Sequence, residues 1–308
     1  MRPVVKIGGS LLRSADDFIR AAKFLASYER PPVAVVSAVK GVTDMLLELY
    51  KTRSYLMFEE VAHRHISIAR ALGVEDEVAP LLKELEAALQ LPKEPWAADY
   101  FASFGERLSA TILAGLIRRM GVAVKLYIAP IATDSAFGNA TPIRLDYADE
   151  LREGRGGSDY TATYIGKEIG ARKVSLITDA PGVMTADPRE VEDAEVLPLM
   201  SIYEAVAAAQ AGAKNFHPRT FQPVLEAGNM AVEVRSYHSR GTLIGHIYPP
   251  PPYKVVTRCG QGSCVVGLAA EELTKLGGVS LGRYTCRLDI PPRQAHELLI
   301  KPYIKYIK

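Results

Sequence analysis

Gly154-Arg155-Gly156-Gly157-Ser158-Asp159-Tyr160-Thr161-Ala162 sets three glycines into four positions directly ahead of a helix-forming run. Glycine lets the backbone approach another group closely, and the first amides of a helix have no partner inside it, so this pattern builds an anion cradle at a helix N-terminus. Ser158 or Asp159 could equally be only the helix cap. A cap needs no glycine run before it, and the glycines point to a ligand. Two other stretches share this character. Lys6-Ile7-Gly8-Gly9-Ser10 ends a hydrophobic strand in adjacent glycines, with a lysine to supply charge for an oxyanion. It is no P-loop, because the spacing to Gly-Lys-Ser/Thr is absent. Thr178-Asp179-Ala180-Pro181-Gly182-Val183, followed by Thr185-Ala186-Asp187-Pro188-Arg189, ends a strand in a Thr-Asp pair and a tight turn. Polar groups thus collect at the carboxyl end of a sheet, where doubly wound folds bind ligands. Turn chemistry explains Asp179, Gly182 and Pro188 singly; the density of such features supports a nucleotide pocket.

Working outward, short β-branched runs alternate with longer amphipathic ones. The periodicity predicts strands over residues 4–7, 33–37, 122–127, 173–178 and 231–235. It predicts helices over 16–28, 107–120, 160–169, 201–211 and 218–227, and a helical hairpin over 58–91 broken near Gly73. That hairpin is a lid, an oligomer contact or a cover packed on its own sheet. Strands joined mostly by helices imply an α/β fold with a mainly parallel, doubly wound sheet. Four consecutive prolines at 249–252 form a stiff extended spacer. Beyond them come strands at 254–258 and 264–267, a helix at 269–276, a strand at 279–288, a helix at 293–299 and a last strand near 303–307. This order suggests a small ferredoxin-like unit. The expected domains are therefore residues 1–248 and 249–308.

Composition narrows the function classes. The 308 residues carry 37 Lys or Arg against 35 Asp or Glu, a formal net charge of +2 that advertises no polyanion-binding surface. Residues 252–308 hold nine basic side chains against four acidic ones, but they are spread out and lack an aromatic recognition pattern, so no nucleic-acid partner is expected. No apolar run is long enough to cross a bilayer and no leader precedes the first strand, which predicts a cytoplasmic protein without a membrane partner. The three cysteines, Cys259, Cys264 and Cys286, are an odd number and fit a reducing compartment. Their spacing offers no paired zinc ligands, and no protein metal site is expected.

The motifs, in order, resemble those of aspartate kinases in the amino acid kinase superfamily. They are Lys6 to Ser10; Val36-Ser37-Ala38 with Gly41-Val42-Thr43-Asp44; Ser103-Phe104-Gly105-Glu106-Arg107-Leu108-Ser109-Ala110; Phe137-Gly138-Asn139-Ala140; Gly154 to Ala162; Thr178 to Arg189; and Phe216-His217-Pro218-Arg219-Thr220. The resemblance covers roughly residues 1–245, and the tail from Lys254 looks like a reduced ACT regulatory domain. It implies a three-layer αβα sandwich, ATP with Mg2+, and phosphorylation of the side-chain carboxylate of L-aspartate. By the same resemblance Lys6 neutralises the transferring phosphoryl group, Gly8, Gly9 and Ser10 donate to it, and Asp159 orients the lysine. Glu106 takes the substrate amino group, and Arg155, Ser37 and Thr43, with Ser158, hold its carboxylates. Gly8, Gly9, Gly157, Thr178, Asp179, Val183, Asp187 and Arg189 line the nucleotide pocket. An ACT-like tail further implies a homodimer and an amino-acid effector there.

Two departures from that pattern stand out. Glu195 occupies the position where the family has a second phosphate-contacting lysine, and only 13 residues separate Ala140 from Gly154, where the family has a further helix and strand. They leave open a kinase acting on the hydroxyl of homoserine or serine, and a catalytically weak regulatory paralogue that binds nucleotide or amino acid.

Overall fold

Strand β1 (Val4–Ile7) buries Val4, Val5 and Ile7 and turns at Gly8 into a 3₁₀ segment, Gly9–Leu11. The computed structural model describes residues 2–127, 157–213, 217–249 and 252–306. These fall into two units, one of residues 6–158 and one of residues 1–5 with 159–308, and β1 straddles the division.

In the first unit, α1 (Ala15–Ala26) starts where the Ser14 hydroxyl accepts the Asp17 amide, and it buries Phe18, Ala21, Ala22 and Leu25 at helical spacing. Strand β2 (Val33–Val36) lies beside β1. Helix α2 (Val42–Thr52) follows Gly41, whose φ of +84° suits glycine. The expected helical hairpin is present as α3 (Tyr55–Leu72) and α4 (Glu75–Ala88), separated at Gly73 in the left-handed conformation. It packs by its apolar faces on α5 (Pro95–Arg119) and α2, so it covers its own unit. Helix α5 begins well before the expected residue 107 and buries Phe101, Phe104, Leu108 and Ile112. Residues 122–127, expected as a strand, form none. Val122 and Tyr127 are exposed there, and a strand needs a neighbouring ladder to satisfy its backbone.

The second unit takes up α6 (Gly157–Glu168) from Asp159 onward, then β3 (Lys173–Ile177), β4 (Leu199–Ser201), α7 (Ile202–Gln210), α8 (Gln222–Ala227), β5 (Ala231–Arg235) and β6 (Thr242–Gly245). Its strands run in the order β1-β3-β5-β6-β4. Pairs β3–β5 and β4–β6 are parallel, and β5–β6 is antiparallel. Strands β4 and β6, of three and four residues, were not expected from the sequence.

The C-terminal part adds β7 (Val255–Cys259), β8 (Gly262–Val266), β9 (Val279–Gly282), β10 (Thr285–Leu288) and α9 (Pro292–Leu299). They form an antiparallel sheet of order β7-β8-β10-β9 around a small core of Val256, Val265, Leu273, Cys286, Ala295 and Ile300. Three expectations change here. Ala270–Leu276 is a 3₁₀ helix, the single strand over 279–288 is a hairpin, and the last strand is replaced by a 3₁₀ segment, Lys301–Tyr306. Cys259 and Cys264 are joined as a disulfide across the β7–β8 turn, not free, and Cys286 is a buried free thiol. No helix among the described residues is long and apolar enough to cross a membrane.

Candidate functional site

The first cluster lies in the unit of residues 6–158 and is built where β1 and β2 end. Lys6 is half-buried on β1. The Gly8 carbonyl accepts the Leu11 amide at 2.9 Å and the Gly9 carbonyl the Leu12 amide at 3.2 Å, so the chain curls directly after the strand and carries Ser10 on that curl. A Cβ on Gly9 would stand 2.4 Å from the Ala38 carbonyl oxygen, which only glycine avoids. The loop after β2 is tied to β1 by the Ser37 amide, which donates to the Ile7 carbonyl at 3.1 Å.

Glu106 reaches this loop from α5. Its Oε1 accepts the Ala38 amide at 3.2 Å. Gly105 makes that approach possible, because a Cβ there would meet the Ala38 Cβ at 2.6 Å. Burial pushes the Glu106 carboxyl above the usual glutamate range, opposed by the Ala38 amide and by the Lys6 charge. Ser37 and Ser158 face each other with their hydroxyl oxygens 2.7 Å apart. Thr43 stands in the first turn of α2, part-buried. Lys6, Ser37, Ala38 and Glu106 thus form one cluster with a carboxylate, a lysine and hydroxyls around a loop of tightly placed backbone. The Ala38 amide was missed in the sequence, since nothing in an alanine announces that its N–H will meet a side chain 68 positions away.

The second cluster lies in the other unit. Asp159 is buried in the first turn of α6, which begins at Gly157 within the glycine run. Thr163 one turn on donates to the Thr220 carbonyl at 2.8 Å and fixes α6 against the segment that His217 caps. After β3, the Thr178 hydroxyl donates to Asp179 at 3.2 Å. The chain then makes a closed excursion over residues 183–197. The Leu197 amide donates to the Val183 carbonyl at 2.9 Å, and Met184 bridges Val196. Asp187 and Arg189 sit at its far end in a two-point ion pair, Nε–Oδ1 3.0 Å and Nη2–Oδ2 2.6 Å. The Asp187 carboxylate also accepts the Arg189 amide at 3.0 Å. Val183 is buried at the base, where its amide donates to the Thr242 hydroxyl at 2.8 Å. Glu195 lies on the returning limb, opposite Thr185. Arg155, Gly154 and the 137–140 motif lie outside the described residues, as does the short 141–153 segment. Among the described residues no group of three or more His, Cys, Asp or Glu side chains is placed to hold a metal ion.

Against known proteins, the model of the amino acid kinase family matches residues 1–236. Chloroplastic aspartokinase 3 of Arabidopsis thaliana is 31% identical over 336 residues, covering 93% of this chain and 57% of that protein. The aspartokinase of Chlamydia trachomatis is 31% identical over 258 residues, covering 73% of this chain and 59% of that one. The chain therefore spans less than two thirds of the length of these relatives. The crystal structure of E. coli aspartokinase III in complex with aspartate and ADP (R-state) superposes with a TM-score of 0.71 at 23% identity, over 93% of this chain and 78% of that chain, which shows a shared fold.

Proposed function

The chain belongs to the amino acid kinase family, and from that premise we propose that it transfers the terminal phosphoryl group of ATP to the side-chain carboxylate of L-aspartate. A carboxylate oxygen attacks the γ-phosphorus, the bond to the β,γ-bridging oxygen breaks, and ADP leaves with 4-phospho-L-aspartate as product. The observation that carries this reading is Glu106. It is a desolvated carboxylate held in place by the Ala38 amide at 3.2 Å, in a setting that favours a cation arriving beside it. The α-amino group of an amino acid is such a cation. The relatives, which are aspartokinases, supply the choice of amino acid.

Within that reading Ser37, Thr43 and Ser158, with Arg155 assigned from the sequence, hold the substrate carboxylates. Lys6 offsets the charge that develops on the transferring group, and the Gly8, Gly9 and Ser10 curl donates to it. Phosphoryl transfer depends on positioning and charge compensation, and a carboxylate acceptor needs no strong base. Gly157 and Asp159 at the head of α6, Thr178, Asp179, and the excursion bearing Val183, Asp187 and Arg189 serve the nucleotide. Magnesium reaches such sites bound to the triphosphate and shields its charge. Residues 249–308 are proposed as a separate ACT-like domain that pairs two chains and takes an amino-acid effector.

The test is consumption of ATP with magnesium in the presence of L-aspartate, L-homoserine or L-serine, with the product identified by mass. An acyl phosphate formed from aspartate is the expected result. A phosphorylated hydroxyl amino acid would move the acceptor assignment. Absence of turnover with all three, in protein that binds ATP, would replace this reading by that of a regulatory paralogue.

A further inference from the structure

The 183–197 excursion is held from below by the C-terminal part of the same unit, and its polar groups meet at Thr185. The Thr185 amide donates to the Glu195 carbonyl at 2.8 Å, and its carbonyl accepts the Val256 amide at 2.8 Å. Its hydroxyl oxygen accepts the Glu195 amide at 3.0 Å and lies 3.0 Å from His296 Nε2 on α9. Thr185 and His296 are both fully shielded from solvent. Two exposed ion pairs stand on the rim, Arg258 with Glu190 at 2.8 Å and Lys301 with Asp193 at 2.9 Å.

A hydroxyl has one proton to give and accepts through its lone pairs. The Glu195 amide already donates to this one, which leaves it one proton and one lone pair for His296 Nε2. Which of the two donates follows the imidazole tautomer, and in either sense the bond joins the excursion to α9; Nδ1 faces Asp193 Oδ1 at 3.9 Å, beyond hydrogen-bond range. The charged groups around the ring are Asp193 from the excursion, Lys301 from the following 3₁₀ segment and Glu297 from the same helix. Burial is the dominant influence and keeps the ring neutral, with Asp193 opposing it.

We propose that His296 is a positioning residue for nucleotide binding: through its hydrogen bond with the Thr185 hydroxyl it fixes the limb that carries Val183, Asp187 and Arg189. The inference rests on the reading of that excursion as part of the nucleotide site. It gives the C-terminal part a task in the resting protein, independent of any effector.

Calorimetric titration of ATP with magnesium, and separately of aspartate, into the wild-type protein, His296→Leu, His296→Gln and Thr185→Val tests it. His296→Leu should weaken ATP by about fivefold, the scale of one buried hydrogen bond, and leave aspartate within about twofold. His296→Gln offers the same hydroxyl an amide group that can accept or donate and should recover most of the loss. A role confined to stability would lower the melting temperature of the variants without separating ATP from aspartate. Unchanged ATP affinity in folded His296→Leu, equal weakening of both ligands, or a Gln variant no better than Leu overturns the proposal. Should His296→Leu not fold, Thr185→Val, nearly isosteric and lacking only the hydroxyl, carries the same expectation for ATP. If the wild-type protein binds no ATP, the functional reading falls and this one with it. If it binds and the variants bind equally, only this one falls.

Discussion

Under the proposed reading, Glu106 is placed for its ligand at the expense of the empty protein. Burial raises its carboxyl in the folded state. Between the ordinary glutamate value and that raised one, the folded chain binds more protons than the unfolded chain, so stability falls as pH rises through this window. The group therefore costs stability at neutral pH and none at a pH where both states are protonated. Glu106→Gln keeps an oxygen for the Ala38 amide and removes the charge. It should melt above the wild-type protein at pH 8 without ligands, with the difference vanishing as pH falls to about 4. The same variant should lose aspartate affinity by at least about tenfold, the worth of a charge-assisted hydrogen bond. A Gln variant that melts below the wild-type protein at pH 8, or binds aspartate as well, would remove Glu106 from this role. At this scale the sequence announced the side chain through its motif but not its partner. A backbone amide joins a site only through the fold, and the Thr185–His296 contact, 111 positions apart, was hidden for the same reason.

Between elements, glycines decide how near a helix can come. Gly105 lets α5 press on the loop after β2, where an added Cβ would meet the Ala38 Cβ at 2.6 Å. Alanine is the better helix former by about 1 kcal/mol, so propensity alone would favour Gly105→Ala. Overpacking at such a contact costs about 1–3 kcal/mol and should win. Urea unfolding should show a net loss for Gly105→Ala and recovery when Ala38→Gly is added, because the second change removes the atom that is struck. No recovery in the double variant would mean that the close approach is not what glycine provides. The long amphipathic runs were legible because helical periodicity reports a buried stripe, and α1, α3 and α4 formed near where it placed them. The short strands β4 and β6 were not, since three or four residues contain too little alternation to read. Residues 122–127 had strand composition, yet pairing is a property of the neighbour and not of the run. The single long strand expected over 279–288 became a hairpin turning at Arg283-Tyr284, a turn the apolar pattern on either side concealed.

At the scale of the molecule, the prolines at 249–252 marked a change of architecture, and residues beyond them do form their own sheet. They are nevertheless tied to α7 and to the end of β6. The Thr257 hydroxyl donates to the Ala211 carbonyl at 2.7 Å, and Tyr203 stacks with both Tyr248 and Tyr284. The deepest tie is Lys254, fully buried with Glu204, Nζ–Oε1 3.4 Å, and donating to the Pro249 carbonyl at 2.7 Å. Glu204 is already engaged as the capping residue of α7, where its Oε2 accepts the Ser201 amide at 3.0 Å. Burial pushes the Glu204 carboxyl up and the Lys254 ammonium down, while each charge pulls the other back. Such a pair gains little net stability over an apolar replacement, but removing one member strands the other charge. Lys254→Met should therefore cost about 3–5 kcal/mol in urea unfolding. Lys254→Met with Glu204→Gln keeps the cap, leaves no stranded charge and should recover most of that loss. A double-mutant cycle isolates this coupling from the two single costs. If Lys254→Met instead costs no more than about 0.5 kcal/mol, as a surface change does, the junction is held by the aromatic stack and the Thr257 contact, and the buried pair is incidental to it.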